Sequence, residues 1–570
     1  MATLIQFNRE YLEWLPIAAK EGNVEAMRDL GIAYHQGLGT RQNQAEALKW
    51  LGLAADRGDP RAQYFLGKCF LVGQGVARSP LKAQLLWNLA ADAGEVDAMV
   101  ELGDVYYEKD DFERDLERGV EWWLKAAERG DERAFLSLGR AHALGKGAPK
   151  DLEKATAFYL KASENGSALA DFLVGQAYYK GLGLPVNKDL AFTYWQRSAA
   201  KGEPLAQLRL AEAYHKGKDR PYDPEKAAFW WRKAAGNRHP KGAIRLAGAF
   251  AKGDGVNQSY VEAIGWLKQA ADWGSLEGMS LLAAALENLD WEEVDLPMSQ
   301  YWWELAALKG SPKALRRLGL YHSDKGDHRL AAKYWKKAVA AGDLEAAADL
   351  GLAYLESRGV PFNPKKALNL WRRAAAKGGT AALFHLAELY YDGLYGREKS
   401  RGRAAYFWRR AAQKGHLESQ YRIGVVYLKG DGLPKDEAVA FQWFMKAAER
   451  NHHPAQRRVA TAYRDGRGVP VDLEKAIYWL QKAARGGDAE GKRLLGDAYN
   501  YGIGLPMNKR QAVVWWRLAA FYGDPLAQVA LGEVYLEGDI QLQDLSEVTK
   551  WWTKAIEGLS EKLSEIKPPE

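Results

Sequence analysis

Small, aliphatic and aromatic residues recur at helical spacing along most of this 570-residue chain. From Ala168 the apolar positions continue to Tyr179, and the turn Gly181-Leu182-Gly183 follows. A second helical pattern begins after Asn187 and closes at Gly202. Glycine takes the left-handed conformation at a helix end without steric cost, and asparagine is a good N-cap. The segment therefore predicts two helices joined by a short turn.

This pattern returns about every 36 residues, with one landmark position occupied by glycine ten times and alanine five times. A glycine inside a helix costs roughly 1 kcal/mol relative to alanine, so we expect it to permit close helix–helix approach. The periodicity predicts an all-α fold, an α/α superhelical solenoid of about fifteen 36-residue helix-turn-helix repeats. The landmarks are Gly31, Gly67, Gly103, Gly139, Gly175, Ala211, Ala247, Ala283, Gly319, Gly351, Ala387, Gly424, Ala460, Gly496 and Gly532.

The repeats suggest three segments. Residues 1–23 are predicted to be an N-terminal capping helix, with Pro16 near its start. Residues 24–555 are predicted to form the solenoid, and residues 556–570 a C-terminal cap and tail.

The pattern is irregular in two places. Residues 108–117 form a charged stretch without the Gly-x-Gly turn, and a possible seam lies at 276–343, where the unit 312–343 is four residues short. We interpret the seam either as a solvated loop with changed curvature or as a site where Trp291 meets a partner.

Tryptophan also follows the repeat: of 22 tryptophans, all but Trp273 and Trp291 precede the alanine pair of a second helix. A tryptophan repeated at one structural position indicates core packing, worth roughly 2–3 kcal/mol of burial each, rather than a ligand site.

Leu-Gly-x-x-Tyr-x-x-Gly-x-Gly, a capped helix start, Ala, Trp-Trp or Tyr-Trp, and Ala-Ala-x-x-Gly together resemble the Sel-one-like repeat (SLR), a relative of the tetratricopeptide repeat. The resemblance extends from about Trp14 to Ala555. It implies a right-handed superhelix used for protein–protein contact, as in bacterial adaptors. Some branches of the family pair cysteines across each helix hairpin, and this chain, with Cys69 alone, departs from them.

The composition limits which partners and which cellular location are expected. The net charge of +7, from 80 basic and 73 acidic residues, is small, and the charges are interspersed, so nucleic acid is not the expected partner. One cysteine favours a reducing compartment. The chain shows no secretory signal, lipid-attachment site or membrane-spanning run, so we expect a cytoplasmic protein without membrane insertion.

No catalytic or cofactor motif is present. The ten histidines are scattered, zinc spacing is absent, and the Gly-x-Gly turns lack the preceding strand of a dinucleotide site. The expectation is therefore no enzyme, no metal and no cofactor.

In related solenoids the first helices line the inner wall. Two apolar strips are candidate partner-binding sites there, the alternative being burial by superhelix curvature. The first comprises Leu352, Leu355, Phe384, Tyr391, Tyr421, Val425 and Leu428, and the second Leu169, Phe172, Tyr179, Leu205 and Leu208. Basic wall candidates are Arg61, Lys68, Arg133, Arg140, Arg457, Arg464 and Arg493.

The leading hypothesis is a non-catalytic scaffold or adaptor that binds another protein or peptide on its concave face. A more specific version is a bacterial secretion-system adaptor, chaperone or immunity-type protein. The alternatives are a ligand-binding protein or enzyme with a site at 276–343, and a nucleic-acid binder on the basic wall. The pattern assigns no oligomeric state.

Overall fold

The computed structural model describes residues 9–108, 114–288, 295–396, 398–537 and 549–557. These residues form helices and their connections, and the described ranges contain no strand. Each repeat contributes a first and a second helix, of 11–13 residues in α2 to α30, which confirms the predicted all-α solenoid. Trp291 and the middle of the charged stretch at 108–117 lie outside the described residues.

The helices follow the repeat in strict alternation, after an initial α1 at Arg9–Lys20. The first helices are α2 Val24–Gln36, α4 Pro60–Val72, α6 Val96–Glu108, α8 Glu132–Leu144, α10 Ala168–Lys180, α12 Pro204–Lys216, α14 Pro240–Lys252, α16 Leu276–Leu286, α18 Pro312–Asp324, α20 Leu344–Leu355, α22 Thr380–Asp392, α24 Leu417–Lys429, α26 His453–Asp465, α28 Ala489–Tyr501 and α30 Pro525–Glu537. The second helices are α3 Gln44–Asp56, α5 Pro80–Asp92, α7 Leu116–Glu128, α9 Leu152–Glu164, α11 Lys188–Ala200, α13 Pro224–Gly236, α15 Tyr260–Asp272, α17 Leu296–Leu308, α19 His328–Ala340, α21 Pro364–Ala376, α23 Arg401–Gln413, α25 Glu437–Ala448, α27 Leu473–Arg485, α29 Lys509–Phe521 and the helical residues 549–557.

The chain divides into two compact units, 1–299 and 300–570, with the boundary inside α17. Within each unit, a first helix packs on the second helix of its repeat, which packs on the next first helix. Successive first helices also approach one another, as α2 and α4 or α20 and α22 do. No successive second helices in the described ranges approach to the same extent, so the first helices form the more closely spaced wall.

The helix ends have the predicted chemistry. The Asn187 side chain accepts a hydrogen bond from the Leu190 N–H at 3.0 Å, which satisfies a free donor of the first turn. At the other end of its repeat's first helix, Gly181 adopts φ 71°, in the left-handed region. These two local signals fix where the first helix of the pair ends and where the second begins.

The landmark glycines lie directly under side chains of the second helix. At Gly351 an added Cβ would lie 2.1 Å from Nε1 of Trp371, and at Gly103 it would lie 2.3 Å from Nε1 of Trp123. All ten landmark glycines face a second-helix side chain of the same repeat in this way. The predicted reason for the glycines, close helix approach, is therefore confirmed.

Most of the tryptophans are core residues, as expected, including Trp87, which has no exposed surface. Seven others are half-buried, and two of the described tryptophans are exposed: Trp14 on α1 (46%) and Trp552 (38%). Both lie on the outermost described helices, which have a described neighbour on one side only. Trp273 caps the end of α15 and packs beside a small core cluster.

The short unit 312–343 lacks residues in its turn rather than in its helices. Only residues 325–327 join α18 to α19, and Gly326, with φ 82°, allows the tight reversal. The four missing residues therefore remove the Gly-x-Gly turn and leave both helices at full length.

Candidate partner-binding face

The seven side chains of the first apolar strip lie on three successive first helices and are named here the α20–α24 strip. All seven are half-buried, because each packs part of its surface against the core beneath it. The strip consists of Leu352 and Leu355 on α20, Phe384 and Tyr391 on α22, and Tyr421, Val425 and Leu428 on α24. The remaining surface of each side chain is available to a partner.

Aromatic residues of this strip also contact the next repeat. The ring of Phe384 lies 5.0 Å from that of His416, and the ring of Tyr421 lies 5.0 Å from that of His452. Both histidines are N-caps: His416 accepts from the Ser419 N–H at 3.2 Å, and His452 caps α26 in the same way. The strip is thus continuous with the junctions between repeats.

In the sequence these histidines are scattered, and their common role as N-caps was not predicted. At other junctions the same wall position, five residues after a cap, holds an arginine that pairs with an aspartate at the next cap. Arg28 lies 3.3 Å from Asp59, and Arg457 lies 2.9 Å from Asp488. A pairing at a separation of 31 or 32 residues, Arg with Asp or aromatic with His, is the sequence signal that would have found this junction.

The second strip is less uniform and is named the α10–α12 strip. Leu169 and Leu205 are exposed, at 38% and 42%, and Phe172 and Tyr179 are half-buried. Leu208 is only 6% exposed, because it belongs to the core beneath α12, so it does not contribute to a surface. The Tyr179 hydroxyl donates a hydrogen bond to Asp219, which also accepts one from the Lys188 ammonium at 2.7 Å.

The basic wall candidates are largely engaged by neighbouring carboxylates. Arg457 is 9% exposed and pairs with Glu490 at 2.6 Å as well as with Asp488. Arg493 lies 2.9 Å from Asp497, and the other paired members are Arg133, with Asp97 and Asp131, and Arg464, with Asp465. Of the rest, Arg61 and Lys68 are half-buried and Arg140 is exposed. These positions do not form an unneutralised track for phosphates, which removes the basis of a nucleic-acid site on the wall.

A half-buried histidine lies next to Phe384 of the α20–α24 strip. His385 stacks on Trp371, with ring centroids 4.9 Å apart. Burial, reinforced by nearby His416, lowers the pKa of His385 to about 4, and burial also lowers the pKa of His416. Both imidazoles are therefore neutral at pH 7, as the cap formed by His416 requires, since its Nδ1 must accept a hydrogen bond.

The predicted seam at 276–343 carries an open groove of about 410 Å³, named here the seam groove. It lies on the side of the second helices, between α17 and α19. Its lining consists of Tyr301, Glu304, Leu305, Ala307, Leu308, Leu315, Tyr334 and Lys337. Its ionisable lining residues are Glu304, Lys337, Tyr301 and Tyr334.

Metal binding and membrane insertion are two other classes of function. Within the described ranges, His, Cys, Asp and Glu side chains form no group of three or more placed to hold a metal ion. No helix in the part of the chain that the structure describes has both the length and the apolar character needed to cross a bilayer.

Comparison with known proteins identifies the repeat. The family model for the Sel1 repeat matches fifteen segments between residues 24 and 558. The chain is similar in structure to c5321, a protective antigen of uropathogenic Escherichia coli with an SLR fold, at 22% identity and a TM-score of 0.44, covering 92% of this chain and 98% of that one. It is also similar to a Sel1 repeat protein from Oxalobacter formigenes, at 28% identity and a TM-score of 0.40, covering 42% and 98%.

Among curated proteins, an F-box protein of Arabidopsis thaliana is 31% identical over 87 residues, 15% of this chain. The chain spans about a quarter of that relative's length (24%). Because the family model matches nearly the whole chain in consecutive units, and the helices follow those units, this protein belongs to the Sel1 repeat family within the tetratricopeptide-like superfamily.

Proposed function

We propose that this chain is a non-catalytic scaffold that binds a segment of a partner protein on the wall of its first helices, with the α20–α24 strip as the contact. Sel1-type repeat solenoids are generally protein-interaction scaffolds, and the family is typically non-catalytic. The proposal adds the face and the residues.

The observation that carries the proposal is the continuity of the α20–α24 strip. Seven partly exposed apolar side chains occupy three neighbouring first helices within one compact unit. Helices packed about 10 Å apart place the outer two about 20 Å apart, a span that roughly six residues of extended peptide would cover. Partly buried aromatic residues on such a surface are the usual anchors of an interface.

Site-specific photo-crosslinking tests the location. Benzoylphenylalanine placed at Phe384, Tyr391 or Tyr421 should crosslink one common partner from the native source. The same probe at Phe229, which is 50% exposed on the second helix α13, serves as the matched control. Equal crosslinking from Phe229 would contradict the assignment to this wall.

Substitution then tests the contribution of the strip. Replacing Phe384, Tyr391 and Tyr421 by alanine should weaken binding of that partner at least about tenfold, the effect of losing one or two interface anchors. A matched control replaces Leu169 and Phe172 of the α10–α12 strip and should leave binding unchanged. Hydrogen exchange of α20–α24 shows whether the triple variant retains its fold, and undiminished binding by a folded triple variant would refute the proposed site.

A further inference from the structure

The positive charge of the chain is concentrated in three successive repeats. Residues 312–416 contain 21 Lys and Arg against nine Asp and Glu, a net charge of +12. The remaining 465 residues contain 59 basic and 64 acidic residues, a net charge of −5. The net charge of +7 is therefore the sum of a strongly basic segment and a slightly acidic remainder. The basic segment lies entirely within the unit 300–570.

The cations of this segment are collected on its second helices. Together α19, α21 and α23 carry twelve Lys and Arg and no Asp or Glu. In each helix a basic doublet follows the buried tryptophan, so the three doublets occupy equivalent positions on neighbouring helices. They are Lys336-Lys337, Arg372-Arg373 and Arg409-Arg410, and all but the half-buried Arg410 are exposed. We name the surface of these three helices the basic face.

This charge is not neutralised within the described part of the chain. Of the twelve cations, Arg401 alone pairs there with a carboxylate, that of Asp431. Acidic residues of the same repeats are used elsewhere: Asp349 pairs with Arg316 at 2.6 Å, and Asp343 caps α20. The basic face therefore has capacity for an anionic partner.

The seam groove adjoins the basic face, because Tyr334 and Lys337 of α19 belong to both. Its apolar lining includes two well-exposed residues, Leu308 at 85% and Tyr301 at 54%. The carboxylate at its edge, Glu304, already accepts a hydrogen bond from Gln300 at 2.8 Å. A concave apolar groove beside a row of cations fits a ligand with one apolar anchor and several negative charges.

We infer that the seam groove and the basic face together bind an acidic segment of a partner protein, anchored by an apolar side chain in the groove. Nucleic acid would match the cations but would leave the apolar groove uncovered, and a bilayer surface cannot follow a concave groove. Successive second helices are at least about 10 Å apart, so the path from the groove across α19, α21 and α23 is at least about 30 Å, the length of roughly nine or more extended residues. This surface belongs to the second helices and is separate from the proposed wall site.

A designed peptide tests the inference on the full chain. The probe is a fluorescein-labelled peptide with a Leu-Trp-Leu anchor followed by eight glutamates. Its anisotropy should report binding at about 50 mM NaCl that weakens steeply toward about 500 mM, as screening of exposed charges requires. Glutamates without the anchor, and the anchor followed by lysines, should bind at least about tenfold more weakly.

Variants assign the binding to this surface. The triple substitution Arg372→Glu, Arg373→Glu and Arg409→Glu should weaken binding of the probe at least about tenfold, because three attractive contacts become repulsive. Leu308→Asn should weaken it severalfold through loss of the apolar anchor site. The matched control reverses Arg232 and Lys233, an exposed doublet at the same position of α13, and should have little effect.

Several results would overturn the inference. One is binding that the triple variant leaves unchanged while its far-ultraviolet circular dichroism is that of the parent. Another is equal weakening by the Arg232 and Lys233 control. Tighter binding of a 20-base-pair DNA duplex, or of vesicles containing phosphatidylglycerol, with loss in the same triple variant, would instead assign the face to nucleic acid or to membrane.

Discussion

Gly351→Ala tests the packing on which the repeat depends. In most exposed helices this substitution stabilises, by about 1 kcal/mol, because alanine is the better helix former. Here we expect the opposite sign. The new Cβ would lie 2.1 Å from Nε1 and 2.6 Å from Cε2 of Trp371, far inside contact distance. Trp371 is 2% exposed, so its indole has no free space into which it could move.

The magnitude follows from three contributions. Overpacking a core site costs about 1–3 kcal/mol. The Trp371 N–H donates to the Ala348 carbonyl at 3.2 Å, and leaving this buried donor without a partner costs about 1–3 kcal/mol. The gain in helix propensity returns about 1 kcal/mol. The net expectation is destabilisation of α20 and α21 by about 3 kcal/mol.

Hydrogen exchange followed by mass spectrometry is the appropriate assay, because a long repeat array need not unfold in one step. Amides in residues 344–379 should exchange faster in Gly351→Ala by about two orders of magnitude. Gly248→Ala on α14 is the matched control, since nothing lies within 4 Å of its added Cβ, and it should slow exchange locally. Slower exchange in Gly351→Ala would refute the account of the landmark glycines.

A second substitution tests the mechanism. Landmark alanines occur with leucine in place of tryptophan in two repeats, Ala247 with Leu267 and Ala460 with Leu480, and with tryptophan in the other three, Ala211 with Trp231, Ala283 with Trp303 and Ala387 with Trp408. Because leucine lacks the ring atoms that the new Cβ would meet at this site, adding Trp371→Leu to Gly351→Ala should cost at least about 1 kcal/mol less than the sum of the single changes. Strict additivity would mean that the indole is not what the Cβ meets.

Three further outcomes follow from individual side chains. Asp171 is fully buried, and although burial opposes its ionisation, hydrogen bonds from Arg197, Ser163 and Lys201 outweigh this effect and lower its pKa. Asp171→Ala should therefore reduce the free energy of unfolding, measured by urea titration, by about 2 kcal/mol. The control Asp189→Ala, at an exposed position, should reduce it by less than about 0.5 kcal/mol. The pKa of His385 is lowered to about 4, so the stability that its neutral form contributes should be present above pH 6.5 and lost as the pH falls toward 4, by up to about 3 kcal/mol. His385→Phe should make the free energy of unfolding less dependent on pH in this range. Burial raises the pKa of Cys69 to about 11, so its thiol should react with iodoacetamide at pH 8 only after unfolding.

The fold was accessible from the sequence because its signals are local and recur. Caps such as Asn187 and helix-ending glycines such as Gly181 act within a few residues of their own position. Because the same signals recur in fifteen units, few other assignments of the helices fit the sequence. The role of the landmark positions could also be predicted from the sequence, because only a closely packed neighbouring helix explains why no residue larger than alanine occurs there.

The second glycine of each turn was only partly understood from the sequence. Gly183 was interpreted as part of a helix stop, and its φ of 71° agrees with that. The structure adds a contact between repeats: a Cβ at Gly183 would lie 2.1 Å from the carbonyl oxygen of Leu152, at the start of the preceding second helix. Within one repeat this requirement is invisible, because the partner lies 31 residues earlier.

The wall positions were harder to predict. Spacing within a helix places Phe384 and Leu208 at equivalent positions, yet one is half-buried and the other is 6% exposed. The next N-cap is a histidine in both cases, His416 after Phe384 and His239 after Leu208. The identity of a wall residue and of the cap that follows it therefore does not predict which of the two side chains is exposed.

In a solenoid of this kind the landmark residues are needed for packing between helices, so partner recognition must depend on the repeat positions whose residues vary. Two such sets of positions depart from the rest of the chain in overlapping repeats. The first helices of α20–α24 carry the apolar strip, and the second helices α19–α23 carry a net charge of +12 on their own. Packing requires neither the exposed part of the strip nor the row of cations, which repel one another. Features that packing does not require and that coincide along the chain are better explained by binding, which directs the search for partners to residues 312–429.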